Sequence, residues 1–271
     1  MKERVLTAIV LLAVVVGALF FDPTGWAVKV LLIVVVSTCG YEFAKLGYKA
    51  LGRNGNSLMP YTMSGWLAGT FIFGFVQNRT FEFDLWFLVI VLASVPAVVW
   101  GIDRKKGWPV YIGSFLWLGL TLQSISILSL AKLPTFWPLL MTAAIPIWCG
   151  DTAAIFVGKA FGKHKLAPSI SPNKTWEGSI GNLVACIGAA LALGAIFHYP
   201  MLLMVLLGLN CGILGQAGDL FESWLKRKAD VKDSGNILPG HGGLLDRLDS
   251  LMATAPLSLL ILQSLIVPGK P

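Results

Sequence analysis

Apolar residues in this chain fall in long, nearly unbroken runs, not in the alternating stripe of a half-buried strand or the narrow face of a surface helix. A helix that crosses a bilayer needs about 20 mostly apolar residues. Nine stretches have that character: Val5–Phe21, Trp26–Tyr41, Tyr61–Gln77, Leu85–Trp100, Val110–Leu130, Phe136–Cys149, Ser179–Phe197, Met201–Ala217 and Ser250–Val267. The turns Asp22–Gly25, Asn78–Asp84, Ala131–Thr135 and His198–Pro200 are short and leave no room for a domain on their side. The pattern predicts an all-α, polytopic integral membrane protein of about nine transmembrane helices. The first run follows Lys2 and Arg4 as the core of a signal peptide does, but no small-residue cleavage site follows it, so a retained helix is expected. The chain divides into N-terminal helices with a polar loop (1–60), middle helices (61–135) and a C-terminal transmembrane region (136–271).

Composition agrees with the runs. Hydrophobic residues make up 56% of the chain and charged residues 13%, against about 25% charged in a typical soluble domain. A net charge of +7 could suggest nucleic acid, but the positions of the cations explain it otherwise. With the N-terminus cytoplasmic and the C-terminus outside, the inner segments are 1–4, 42–60, 101–109, 150–178 and 218–249, and they hold 17 of the 21 Lys and Arg. That is the positive-inside distribution, and one span more or fewer would scramble it. The four cysteines lie in or beside apolar runs without metal-type spacing and read as small buried residues.

Charge then changes the picture a second time. Asp151, Glu177, Asp219, Glu222, Asp230, Asp233, Asp246 and Asp249 are eight of the 14 acids, and all fall in the last two inner segments or at their helix junctions. Nine of the 21 Lys and Arg share those segments. Cations alone beside a membrane would suit lipid headgroups. Acids and cations together suit a metal ion plus phosphate: carboxylates hold Mg²⁺, the ion bridges phosphate oxygens, and Lys and Arg neutralise the rest.

Particular residues stand out. Asp151 ends or interrupts an apolar run, where a charge is costly unless it faces a polar cavity; capping of a following helix is the other reading. In Ser171-Pro-Asn-Lys-Thr-Trp-Glu-Gly178, Pro172 sets a turn, while Ser171, Lys174 and Thr175 are donors suited to phosphate or to helix capping, with Glu177 beside them. Gly215, Ala217 and Gly218 allow close approach at the end of the eighth span. Asp219 and Glu222 are three apart, as are Asp246 and Asp249, the latter two also suited to capping the last span. Between these pairs lie Ser223, Lys226, Arg227, Lys232, Asp233, His241 and the glycines Gly240, Gly242 and Gly243, a backbone-lined loop of the kind that accepts phosphates.

The run Ser223-x-Leu-Lys-Arg-x₄-Lys232-Asp-x-Gly-x₂-Leu-Pro-x-His241-Gly-Gly-Leu-x-Asp246-Arg-Leu-Asp249 resembles, without mismatch over its 27 residues, the diagnostic pattern of the phosphatidate cytidylyltransferases. The 171–178 segment resembles a second motif of that family. The resemblance implies a polytopic enzyme of the cytoplasmic (inner) membrane, a homodimer, which transfers CMP from CTP to phosphatidate with Mg²⁺ and releases pyrophosphate. A second cation is an open alternative. Within that reaction Asp219, Asp246, Lys226, Arg227 and Arg247 are expected to be catalytic, with Asp219 and Asp246 as metal ligands supported by Asp249 or Glu222. Ser171, Lys174, Thr175, Ser223, His241, Gly242 and Gly243 are expected to line the substrate pocket, and Asp151, Glu177, Lys232 and Asp233 are further candidates. Three rivals are separable. A CTP-dependent lipid kinase would release CDP, a CDP-alcohol phosphotransferase would carry an Asp-Gly-x₂-Ala-Arg core that is absent here, and a transporter would place its charges at mid-span in both halves.

Overall fold

The computed structural model describes residues 13–14, 16–18, 26–53, 59–77, 85–130, 139–238 and 242–266. Most of the first expected span, Val5–Phe21, lies outside them, as does His241. Eight helices are described, α1 (Trp26–Ala50), α2 (Met59–Gln77), α3 (Leu85–Asp103), α4 (Gly107–Leu130), α5 (Leu139–Phe161), α6 (Trp176–Phe197), α7 (Met201–Lys228) and α8 (Asp249–Ile266). A hairpin of β1 (Lys165–Ala167) and β2 (Ser171–Thr175) lies between α5 and α6, and a single 3₁₀ turn covers Leu245–Arg247. Among the described residues, five helices are long and apolar enough to cross a membrane: Trp26–Ala50, Val110–Ser129 within α4, Leu139–Phe161, Trp176–Phe197 and Met201–Lys228. Asp249–Gln263 is a shorter apolar helix.

Three helices run well past the ends that hydropathy marks. α1 continues from Tyr41 to Ala50, α5 from Cys149 to Phe161 and α7 from Ala217 to Lys228. An apolar run measures the thickness of hydrocarbon, whereas backbone hydrogen bonding continues wherever good helix formers follow. Asp151 is therefore interior to α5, which removes the reading of it as a cap. Asp219, Glu222, Ser223, Lys226 and Arg227 all stand on one helix, whose last turn of Lys226, Arg227 and Lys228 suits the negative end of the helix dipole.

Among the described residues the expected all-helical chain also contains one small sheet. β1 and β2 pair antiparallel, with Lys165 opposite Thr175 and Ala167 opposite Ser171, so Pro172 sits in a strand and not in a turn. A two-stranded edge tolerates proline. Segments of three and five residues are too short to show a period of two.

The chain forms two compact units, one of Met1–Leu130 with Leu225–Leu248, the other of Ala131–Trp224 with Asp249–Pro271. In the first unit α1 packs on α2 and α4, and α3 packs on α4. Its core includes Phe43, Leu67, Trp117, Leu118 and Leu122. The Lys228 ammonium reaches Asp103 at the end of α3, 2.9 Å away. In the second unit α5 packs along α6 and also meets α8. Gly218 lets α7 lie against α8: a Cβ there would run into the Ala253 methyl and stand 2.8 Å from the Asp249 carbonyl. Asn210, buried in α7, donates to the Thr254 carbonyl (3.0 Å) and the Ser258 hydroxyl (2.9 Å) of α8. Such interhelical bonds average about 0.6 kcal/mol in membrane proteins. Outward positions on these helices, such as Ile180, Val184, Leu202 and Ile213, are exposed and apolar, as a lipid-facing surface requires. Cys39, Cys186 and Cys211 are buried as expected, but Cys149 is exposed, because it lies on the open side of the extended α5.

Candidate active site

The second unit holds a cavity of about 540 Å³. Asp151, Gly158 and Lys159 of α5, Lys174 and Thr175 of β2, Ser179 and Asn182 of α6, and Gln216 and Asp219 of α7 all line it. Each is placed by the element that carries it. The extension of α5 carries Asp151 one helical turn ahead of Ile155 and two ahead of Lys159, and all three line the cavity. The hairpin brings Lys174 in, and the added turns of α7 bring Asp219.

Lys174 and Asp219 form an ion pair, Nζ to Oδ2 at 2.5 Å, with both side chains about one-third exposed. The Ser223 hydroxyl, one turn along α7, donates to Asp219 Oδ1 at 3.3 Å. The Asn182 amide donates to Asp151 Oδ1 at 3.2 Å. The amide of Gln216 donates to the Ser179 carbonyl at 3.2 Å, and its oxygen accepts from the Ser179 hydroxyl in a very short contact. Two acids, Asp151 and Asp219, and two lysines, Lys159 and Lys174, therefore face one cavity between helices. Such a wall can neutralise a polyphosphate and hold it in one orientation.

The other expected site residues take varied roles. Thr175 caps α6: its hydroxyl accepts from the Gly178 amide at 3.1 Å, with extended backbone at φ −126° and ψ 153°. Glu177 turns to the base of the hairpin, accepting from the Lys163 amide (3.2 Å) and meeting His164 Nδ1 at 2.6 Å. Ser171 is paired in the hairpin with Ala167. Glu222 is fully buried and does not line the cavity, since three positions on a helix differ by about 60° around its axis. Asp249 begins α8, and its Oδ1 accepts from the Ser250 amide at 2.6 Å.

The remaining residues belong to the first unit. Asp246, almost buried, pairs with Lys226 at 2.7 Å. The same carboxylate accepts from the amides of Ser234 (3.0 Å) and Gly243 (2.8 Å). Gly242 has φ +84°, and a Cβ there would lie 2.8 Å from Asp246 Oδ2. Thus the Gly243 amide, expected to face phosphate, is already occupied by Asp246. Arg227 is exposed and donates to the Val231 carbonyl at 3.3 Å. Lys232, Asp233 and Arg247 are exposed.

Sequence reasoning missed Asn182, Ser179, Gln216 and Lys159 in the cavity, and Glu42 in the first unit. Asn182, Ser179 and Gln216 sit in apolar runs, where an uncharged polar residue is common. The one available signal was that each is an amide or hydroxyl within a span.

The donor set around the cavity suits a hard divalent cation. Such an ion takes oxygen ligands, and magnesium keeps water and substrate phosphate among them, so two protein carboxylates suffice. Asp151 and Asp219 supply that number. Among the described residues no group of three or more His, Cys, Asp or Glu gathers as a metal site.

The sequence model of the cytidylyltransferase family matches residues 2–265. The chain belongs to this family. Cytidylyltransferase relatives are found at full length. One from Brucella suis biovar 1 (strain 1330), named phosphatidate cytidylyltransferase, is 33% identical over 272 residues, 100% of this chain and 96% of its own length. One of the same name from Pseudomonas aeruginosa is 36% identical over 266 residues, 94% of each chain. One from Bacillus subtilis (strain 168), again of that name, is 52% identical over 120 residues, 42% of this chain and 43% of its own. With its long apolar helices, this cytidylyltransferase is a multi-pass membrane protein.

Proposed function

We propose that this cytidylyltransferase acts on phosphatidate, and that the cavity of the second unit receives the phosphates of its substrates. The enzyme transfers CMP from CTP to phosphatidate. An oxygen of the lipid phosphate bonds to the α-phosphorus of CTP, the bond from that phosphorus to the bridging oxygen breaks, and pyrophosphate leaves. The lipid phosphate is already largely dianionic near neutral pH, so it needs little help from a base. The difficulty is to bring two anions together.

The Lys174–Asp219 pair at the cavity carries this reading. Lys174 and Lys159 balance phosphate charge, and Asn182 holds Asp151 in place. Asp151 and Asp219 would hold Mg²⁺. When bound, the ion offsets charge on phosphate oxygens and on the departing pyrophosphate. Lys226, Arg227, Asp246 and Arg247 of the first unit are needed for the same reaction by virtue of the motif they share.

The reading extends to the membrane. Nine spans, an inner N-terminus and an outer C-terminus would put the charged segments at the cytoplasmic face of the inner membrane, where CTP is available and phosphatidate presents its headgroup. The enzyme acts there as a homodimer. Purified protein in detergent, given CTP, phosphatidate and Mg²⁺, should yield CDP-diacylglycerol and pyrophosphate, and EDTA should stop it. Release of CDP in place of pyrophosphate would indicate a lipid kinase. Full activity in EDTA would remove the metal.

A further inference from the structure

We infer that Glu42 is a positioning residue for cytidylyl transfer, acting through the motif loop that carries Asp246. The inference rests on the reading that this motif serves the transfer reaction. Glu42 belongs to the apolar helix α1 and is only 1% exposed. A carboxylate buried in such a helix is costly unless donors surround it. Three donors do, and all come from a segment some 200 residues away in sequence. Glu42 Oε2 accepts from the Leu245 amide (2.8 Å) and the Ser234 hydroxyl (3.1 Å), and Oε1 accepts from the Leu244 amide (3.2 Å).

The loop is shaped around this carboxylate. A Cβ on Gly235 or Gly243 would collide with the Glu42 carboxyl group, so both positions are confined to glycine by contact alone. Asp246 grips the same stretch from within, through the amides of Ser234 and Gly243. Ser234 is thus held twice, by its amide to Asp246 and by its hydroxyl to Glu42. The consecutive amides of 243, 244 and 245 point at two carboxylates, one from the motif and one from α1. This is the concave arrangement that binds anions elsewhere, filled here by the protein's own acids. Withdrawing Glu42 frees two of the three amides and the Ser234 hydroxyl. Asp246, and with it the ion pair to Lys226 at 2.7 Å, then loses its fixed frame.

The test uses full-length Glu42→Gln in detergent. An amide keeps the size but presents N–H where the loop also presents donors. We expect kcat to fall about 10- to 100-fold, the scale of a misplacement near 1 Å, while KM for CTP stays within about threefold. Amide exchange at Leu244 and Leu245 should quicken by about tenfold or more, with the helices unchanged. A kcat within about threefold of wild type overturns the inference. So does a lost rate with unchanged exchange at these two amides, or a rise in KM that accounts for the whole loss. If Glu42→Gln yields no folded protein, Ser234→Ala decides: a severalfold lower kcat with native melting supports the inference, and a native kcat overturns it. The exchange measurement needs no substrate, so a wild-type protein inactive on phosphatidate would count against the proposed reaction and not against the loop anchor.

Discussion

Replacing Asp219 by Asn separates chemistry from stability. The substitution keeps the size of the side chain and an oxygen for the Ser223 hydroxyl, but removes one of the two carboxylates lining the cavity. Its ion pair with Lys174 has side chains 27% and 34% exposed. A pair that wet contributes no more than about 1 kcal/mol, so melting should shift by only a few degrees. The effect on the reaction is larger. One unit charge at about 4 Å, at an effective dielectric near 20, is worth about 4 kcal/mol. Discounting about a third for exposure leaves roughly 2–3 kcal/mol, on the order of a 10²-fold slower reaction. Pyrophosphate release from CTP and phosphatidate gives the rate, and intrinsic tryptophan fluorescence gives the melting point. A rate within about threefold of wild type at native melting would remove Asp219 from the chemistry. A melting point many degrees lower would show that the pair is structural.

Other substitutions probe the neighbouring links. Asp246→Asn removes the charge from one side of a nearly buried pair, so it should destabilise by about 3 kcal/mol and lower turnover with it; an unchanged melting curve would refute the burial argument. Thr175→Ala removes the α6 cap and should cost about 1 kcal/mol, read as a melting shift of a few degrees, with turnover per folded molecule altered far less than in Asp219→Asn.

The two site regions were legible to different degrees. Asp219, Lys174 and Asp151 were visible because charge is scarce in an apolar chain, and each stands out against its neighbours. Asn182 and Gln216 were not, because an uncharged amide within a span carries no comparable signal. Glu42 was hidden by its own surroundings: an acid at the end of an apolar run, followed by Lys45 and Lys49, reads as the start of a loop. Glu222, three residues beyond Asp219, is fully buried and does not line the cavity, a placement that its charge alone does not announce.

What the sequence determined alone is whatever depends on the solvent: which stretches are apolar enough for lipid, where the cations gather, and which motif ties the chain to its relatives. Transfer between water and hydrocarbon acts on each segment separately, so its record is local. Tertiary structure decided how far each helix continues past its apolar run, that a short hairpin would deliver Lys174 to Asp219, and that Glu42 would receive amides from 200 residues away. Those outcomes depend on which donors and acceptors meet once the helices pack, and no local stretch of sequence carries that information.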